Sequence, residues 1–132
     1  MARDRIARSR CPIATSLDIF GDRWTLVVVR DMLVGKRRFN EFLASREAIA
    51  TSVLTDRLEQ LEKAGMVERR TYQGRPARYE YRLTSKGMGL LPVLQELCRW
   101  ADLHLDGVME PPMGFMGLSL EQGLPGELDR AG

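Results

Sequence analysis

Through the first half of the chain, apolar positions recur every three to four residues; they then alternate for two short runs and return to the longer spacing. "PIATSLDIF" predicts a helix from Pro12, suited to a first helical position, to a stop at Gly21. "DRWTLVVVRDMLVG" predicts a second, with Asp22 as N-cap and Gly35 past its end. Trp24, Leu26, Val27, Val29 and Leu33 make this segment apolar nearly all round, as a buried central helix would be. Its valines also suit a strand, but length and end signals favour helix.

"KRRFNEFLASRE" predicts a short helix with Phe39, Phe42 and Leu43 on one face. A longer helix follows from about Thr51 to Ala64, with Leu54, Leu58 and Leu61 as its inward stripe, Lys63 in its last turn and Gly65 at its end. "MVERRTY" and "ARYEYRLT", joined by the turn-forming "QGRP", predict a β-hairpin with its tip at Gln73 to Ala77.

"SKGMGLLPVLQELCRWADLHL" is the last helical segment, with Pro92 either kinking it or marking its true start. Leu91, Leu94, Cys98, Ala101 and Leu105 form a coiled-coil-like seam, and Leu90, Val93, Leu97 and Trp100 a second apolar set beside it. Two seams are more than one small domain can cover, so the first is expected to be a two-fold dimer interface. From Gly107 onward Pro111, Pro112 and Pro125 lie among glycines, and this tail is expected to be loop or disordered.

The order is four helices, a hairpin and a helix: mainly α with a β-hairpin (α+β), the layout of a winged helix-turn-helix. The expected organisation is a basic arm at 1–10, the domain at 11–106 and an acidic Gly/Pro tail at 107–132.

Composition narrows the function. At 132 residues, 44% hydrophobic and 29% charged, the chain has the balance of one soluble globular domain. The longest apolar run, "LVVV" at Leu26 to Val29, is far too short to span a bilayer, and the charged N-terminus lacks the apolar segment of a secretory signal. A cytoplasmic location with no membrane partner is expected. Net charge is only +2, but residues 1–100 carry 19 Lys/Arg against 12 Asp/Glu, and residues 101–132 one against six. A basic body with an acidic tail suits a domain that meets an anion, although a merely solvated surface reads the same way. Two distant cysteines, Cys11 and Cys98, and the single His104 cannot supply a closed zinc site. The sequence has no Gly-rich phosphate loop and no nucleophile elbow, so neither an enzyme nor a cofactor is expected.

Candidate chemistry lies on the Thr51–Ala64 helix. With the leucine stripe inward, Ser52, Asp56, Glu59 and Lys63 point away and Thr55 sits at the shoulder. The N-terminal end of a recognition helix touches base edges, so Thr51, Ser52, Thr55 and Asp56 are the candidate readers. The hydroxyls equally suit a helix start, and Asp56, which repels phosphate, has a role only if it accepts from a cytosine amino group or orients Arg57. Arg57 is placed to reach phosphate, with an intramolecular ion pair as the alternative. Lys36, Arg37 and Arg38, at a helix start, look like a phosphate clamp. Residues 68–86 hold six basic and two acidic side chains. Arg69, Arg75 and Arg78 are the expected wing contacts, with Arg75 at the tip; Arg70 and Arg82 are expected to face the protein.

Together "CPIATSLDIFGDRWTLVVVRDML", "GKRRFNEFL", "IATSVLTDRLEQLEKAGMVERR" and "ARYEYRLTSKG" resemble the HxlR-type winged helix-turn-helix regulators, collinearly over about residues 11–105. The resemblance implies a homodimeric transcription factor on double-stranded DNA, joined through N- and C-terminal helices and binding a palindromic operator. It places the recognition helix on Ile49 to Ala64 and the wing on Tyr72 to Tyr79. Some members sense electrophiles or oxidants through the cysteine matching Cys11, which makes Cys11 a redox candidate and a small molecule or electrophile a candidate effector. Its place before Pro12 at a helix start would lower the thiol pKa; a cysteine that merely packs is the alternative. Ala50 departs from the family's capping serine, which would pass the cap to Thr51. A thiol-sensing or protein-interaction module with the winged helix as a dimer scaffold is the rival reading.

Overall fold

A computed structural model describes residues 9–121. Most of the basic arm (1–8) and the end of the acidic tail (122–132) lie outside the described residues. In order come α1 (Pro12–Phe20), α2 (Thr25–Leu33), α3 (Phe39–Leu43), α4 (Thr51–Lys63), β1 (Val67–Gly74), β2 (Ala77–Leu83), α5 (Ser85–Met88), α6 (Leu91–His104) and a 3-10 turn (Phe115–Gly117). This is the α+β, winged helix-turn-helix arrangement that the sequence predicts.

Local chemistry sets the boundaries. The Asp22 carboxylate accepts from the Trp24 and Thr25 amides at 2.9 and 3.0 Å and from the Thr25 hydroxyl, so it holds the orphan donors at the start of α2. Two helices end on the same left-handed device. Gly35 (φ 106°) and Gly65 (φ 75°) follow α2 and α4, with Lys36 N–H bonded to the Asp31 carbonyl and Met66 N–H to the Leu61 carbonyl. Met66 and Leu61 are both buried, so the second stop also ties α4 to the core. Pro92 stands in the first turn of α6; the last segment is therefore two helices, and the proline marks the true start of the second.

The core forms where α2, α4 and α6 meet the base of the hairpin. Val29 and Leu33 of α2, Phe42 of α3, Leu54, Leu58 and Leu61 of α4, and Leu91 of α6 are almost fully enclosed. The hairpin is antiparallel, with Val67 opposite Leu83 at its buried base and Gly74 opposite Ala77 at its tip, leaving Arg75 and Pro76 as the turn. A register shift at Tyr72 marks a bulge. Residues 37–38 lie along the other edge of β2, where Tyr81 N–H donates to the Arg37 carbonyl at 2.7 Å.

One expectation is corrected and another refined. Leu91 and Leu94 face this chain's own core, with Cys98 packed against it; the outward apolar set on α6 is Val93, Leu97 and Trp100. The two seams are therefore divided by depth along the chain's own core: Leu90, Leu91 and Leu94 are buried, whereas Val93, Leu97 and Trp100 of the second set and Leu105 at the end of the first are exposed. From Gly107 to residue 121 the chain is irregular apart from the 3-10 turn, as a loop is, but this segment is packed on the core. Phe115 is 1% exposed in the core, and Gln95 of α6 donates from Nε2 to the carbonyls of Phe115 (3.1 Å), Met116 (3.4 Å) and Leu118 (3.0 Å). Glycine and proline do suppress regular structure there, but one buried aromatic and three satisfied carbonyls bind the segment to α6.

Candidate nucleic-acid interface

Leu54, Leu58 and Leu61 hold α4 against the core, which turns Thr51, Ser52, Thr55 and Asp56 to the exterior, all exposed. The cap is not passed to Thr51: Ala50 is the N-cap, in extended conformation and with no side-chain cap bond, and Thr51 is the first helical residue. The hydroxyls near the start therefore do not serve as the N-cap, and the positive end of the helix dipole lies beside Thr51 and Ser52. The Thr55 hydroxyl donates to the Thr51 carbonyl at 3.0 Å, leaving its lone pairs and methyl outward.

Arg57 is not a free phosphate ligand. Its Nε lies 2.8 Å from Asp22 Oδ2 and its Nη1 pairs with Asp56. Asp56 thus orients Arg57, one of the two roles its sequence position allowed. Burial pushes Asp22 up, but hydrogen bonds from Thr25 and the Trp24 amide, with the charge of Arg57, outweigh it and hold the carboxyl below its ordinary range.

The three adjacent cations at 36–38 separate. Lys36 turns inward, its Nζ 3.0 Å from Ser45 Oγ and 3.7 Å from the buried Asp31. Arg37 is half-buried. Only Arg38 is exposed; its guanidinium lies 3.8 Å from the centroid of the Tyr72 ring and 3.3 Å from Glu80. The clamp therefore reduces to one arginine, held flat by an aromatic face. A capping interaction fixes its backbone, as Glu41 Oε1 accepts from the amides of both Arg37 and Arg38 at 2.9 Å. The Arg37 amide, then that of Arg38 and the nearby cations, hold Glu41 in its charged form, below the usual range.

On the wing, Arg69 stacks on Tyr79 at 4.4 Å with Glu62 at 3.9 Å. Arg75 and Arg78 are exposed, and neither side chain has an ion pair among the described residues. Arg82 is largely buried near Glu80 (3.8 Å), as expected of an inward arginine. Arg70 is exposed, against expectation, although it shares a face of the hairpin with Arg82; it stands opposite Glu80, farther than Arg82 from the buried Val67–Leu83 base. A groove of about 230 Å³ runs between Arg38, Asn40 and the wing residues Tyr72, Arg78 and Tyr79. Tyr72 and Tyr79 are absent from the sequence-based list. Their alternation with arginine was the available signal, but which arginine each supports depends on the bulge.

An exposed helix face over a helix-turn-helix, beside a basic two-stranded wing, matches a known family over residues 19–109, described as HxlR-like helix-turn-helix. The chain belongs to this family. It is 36% identical over 98 residues to the uncharacterized HTH-type transcriptional regulator YdeP of Bacillus subtilis, covering 74% of this chain and 77% of YdeP. Among solved structures it is similar to the oxidized form of the redox regulator HypR, with TM-score 0.65, 35% identity and coverage of 73% and 99%. It is also similar to the reduced form of the transcriptional regulator YodB of B. subtilis, with TM-score 0.63, 30% identity and coverage of 76% and 100%. As an HxlR-type protein the chain is a transcriptional regulator of the winged-helix class, and its relatives are not enzymes.

Away from the HxlR wing, α1 has no buried residue and exposes Ile13 and Leu17, while α6 exposes Val93, Leu97, Trp100 and Leu103. Cys11, the N-cap of α1, is exposed, and hydrogen bonds from the amides of Ala14 and then Ile13 lower its thiol pKa. Cys98 is half-buried, and burial raises its thiol.

Proposed function

We propose that this HxlR-type regulator binds double-stranded DNA sequence-specifically in the cytoplasm, as a homodimer on an inverted-repeat operator. The observation that carries the reading is the outward polar face of α4, with Thr51, Ser52 and Thr55 exposed, flanked by the exposed Arg75 and Arg78 of the wing, which form no ion pair among the described residues. Thr51, Ser52 and Thr55 meet base edges, while Asp56 orients Arg57. Arg38 and Arg69, stacked on tyrosines, and Arg75 and Arg78, with Arg70 beside them, meet phosphate or the minor groove.

Two-fold pairing is supported by the uncovered apolar faces of α1 and α6, centred on Leu17, Leu97 and Trp100. It would place two recognition helices in successive major grooves, about 34–36 Å apart. Selection from random double-stranded DNA with reduced protein tests this. An enriched inverted repeat is the expected result; retention without an enriched motif would leave only backbone attraction and would sink the reading.

A thiol-controlled regulator is the second reading, favoured by the exposed Cys11 at the start of α1. Under it an electrophile modifies Cys11 and alters how α1 meets a second copy. Operator affinity that is indifferent to electrophile treatment would remove it.

A further inference from the structure

Residues 44–50, between α3 and α4, determine where the recognition helix begins, and α4 has no side-chain cap to do so itself. Of these residues only Ser45 and Ile49 are buried. Ala48 stands at φ 58°, a left-handed conformation that alanine keeps only where its surroundings over-determine it. Here they do, and mostly with charge.

Ala48 N–H donates to the Ser45 carbonyl at 2.9 Å, and the Ser45 hydroxyl donates to Asp31, whose side chain is 5% exposed. Arg30 binds both sides of the turn. Its Nε and Nη2 lie 3.1 and 2.8 Å from Asp31 Oδ1, and its Nη1 and Nη2 grip the two Glu47 oxygens at 2.7 and 2.9 Å. Lys36 closes the set at Ser45. The hydrogen bond from Arg30 holds the Glu47 carboxyl down at about 2, so the grip is charged throughout the neutral range.

We infer that Arg30, Asp31 and Glu47 form an ionic clamp on the helix-turn-helix turn that positions the recognition helix for base contact. Arg30 and Asp31 belong to α2, which carries the core, so the clamp transmits a fixed frame to an otherwise uncapped helix start. They are positioning residues and touch no base. The inference rests on the DNA-binding reading above.

The test uses the full chain with Glu47→Gln, Arg30→Gln and the double variant, leaving buried Asp31 intact. In the free protein, amide exchange at Ala48, bonded to the Ser45 carbonyl, and at Leu54, the first amide of α4 bonded to the Ala50 carbonyl, should rise about tenfold in Glu47→Gln while the melting temperature barely moves. Affinity for the operator selected by the wild type should fall about tenfold, with preference at the read bases broadened. The salt slope should stay as in the wild type, because no phosphate contact is lost. The double variant should be no weaker than Arg30→Gln alone, since both act through one grip.

Unchanged exchange and affinity would overturn the inference, as would additive losses. A reduced salt slope would also overturn it, placing Arg30 on the DNA instead. If the wild type selects no operator, the DNA-binding reading fails and the positioning role falls with it. Selection by the wild type with variants that bind equally well would sink the clamp alone.

Discussion

Arg57 of the recognition helix donates from Nε to Asp22 Oδ2 at 2.8 Å, and the same Asp22 oxygen accepts from the Trp24 and Thr25 amides that open α2. One carboxylate therefore fixes the start of the central helix and the flank of the helix that faces outward. Arg57 spends its charge on this bond and on Asp56, with its side chain only 26% exposed. Arg57→Ala should accordingly cost about 1 kcal/mol of stability, the scale of a partly exposed ion pair. It should leave the salt dependence of DNA binding as in the wild type. Chemical denaturation paired with binding across a salt series checks both, and a flattened slope would return Arg57 to the phosphate contacts.

The wing behaves differently because Arg75 and Arg78 form no ion pair among the described residues. Arg75→Ala and Arg78→Ala should each lower the salt slope by about one and weaken binding on all sequences alike. Fluorescence anisotropy at several salt concentrations reads this. Slopes that stay fixed in both variants would take the wing tip off the DNA.

The contrast between these arginines explains what was legible in the sequence. Helix spacing, the glycine stops at Gly35 and Gly65, and the change to alternation at Val67 are local patterns, and they place the elements well. The outward face of α4 follows from its leucine stripe for the same reason. Partners across the fold are not local. Nothing near Lys36 in the chain says that it will turn to Ser45, or that Arg38 will lie on a tyrosine at position 72. The two seams of α6 are visible as spacing, but which one this chain covers depends on where α2 packs.

Phe115 shows the same limit in the tail, where composition outweighed one aromatic. Its ring is 1% exposed, and Gln95 holds the carbonyls around it. Phe115→Ala should destabilise by about 3–5 kcal/mol, as other large core truncations do. The fall in melting temperature should be on the order of 10 °C. A loss under about 1 kcal/mol would mean that the segment does not complete the core.

The two thiols should react unequally. Helix-start amides favour the Cys11 thiolate, whereas burial disfavours that of Cys98. Because the Cys11 pKa is lowered, its thiolate fraction at neutral pH exceeds that of an ordinary cysteine, and it should fall only at lower pH. Iodoacetamide followed by peptide mass spectrometry should therefore label Cys11 first, by about tenfold or more. Equal rates would deprive the thiol-controlled reading of its support.

Pairing through α1 and α6 makes the sharpest demand on the exposed apolar faces. Leu97 is 50% and Trp100 56% exposed, both too large for a helix face that stays in water without purpose. A glutamate at either place would bury an unpaired charge at a two-fold contact but would cost little on a solvated face. Leu97→Glu and Trp100→Glu should therefore yield folded monomers by sedimentation, with circular dichroism unchanged. Half-site binding should survive at reduced affinity, because each α4 keeps its own contacts, while preference for the inverted repeat disappears. Dimers that persist in both variants would place the interface elsewhere on the molecule.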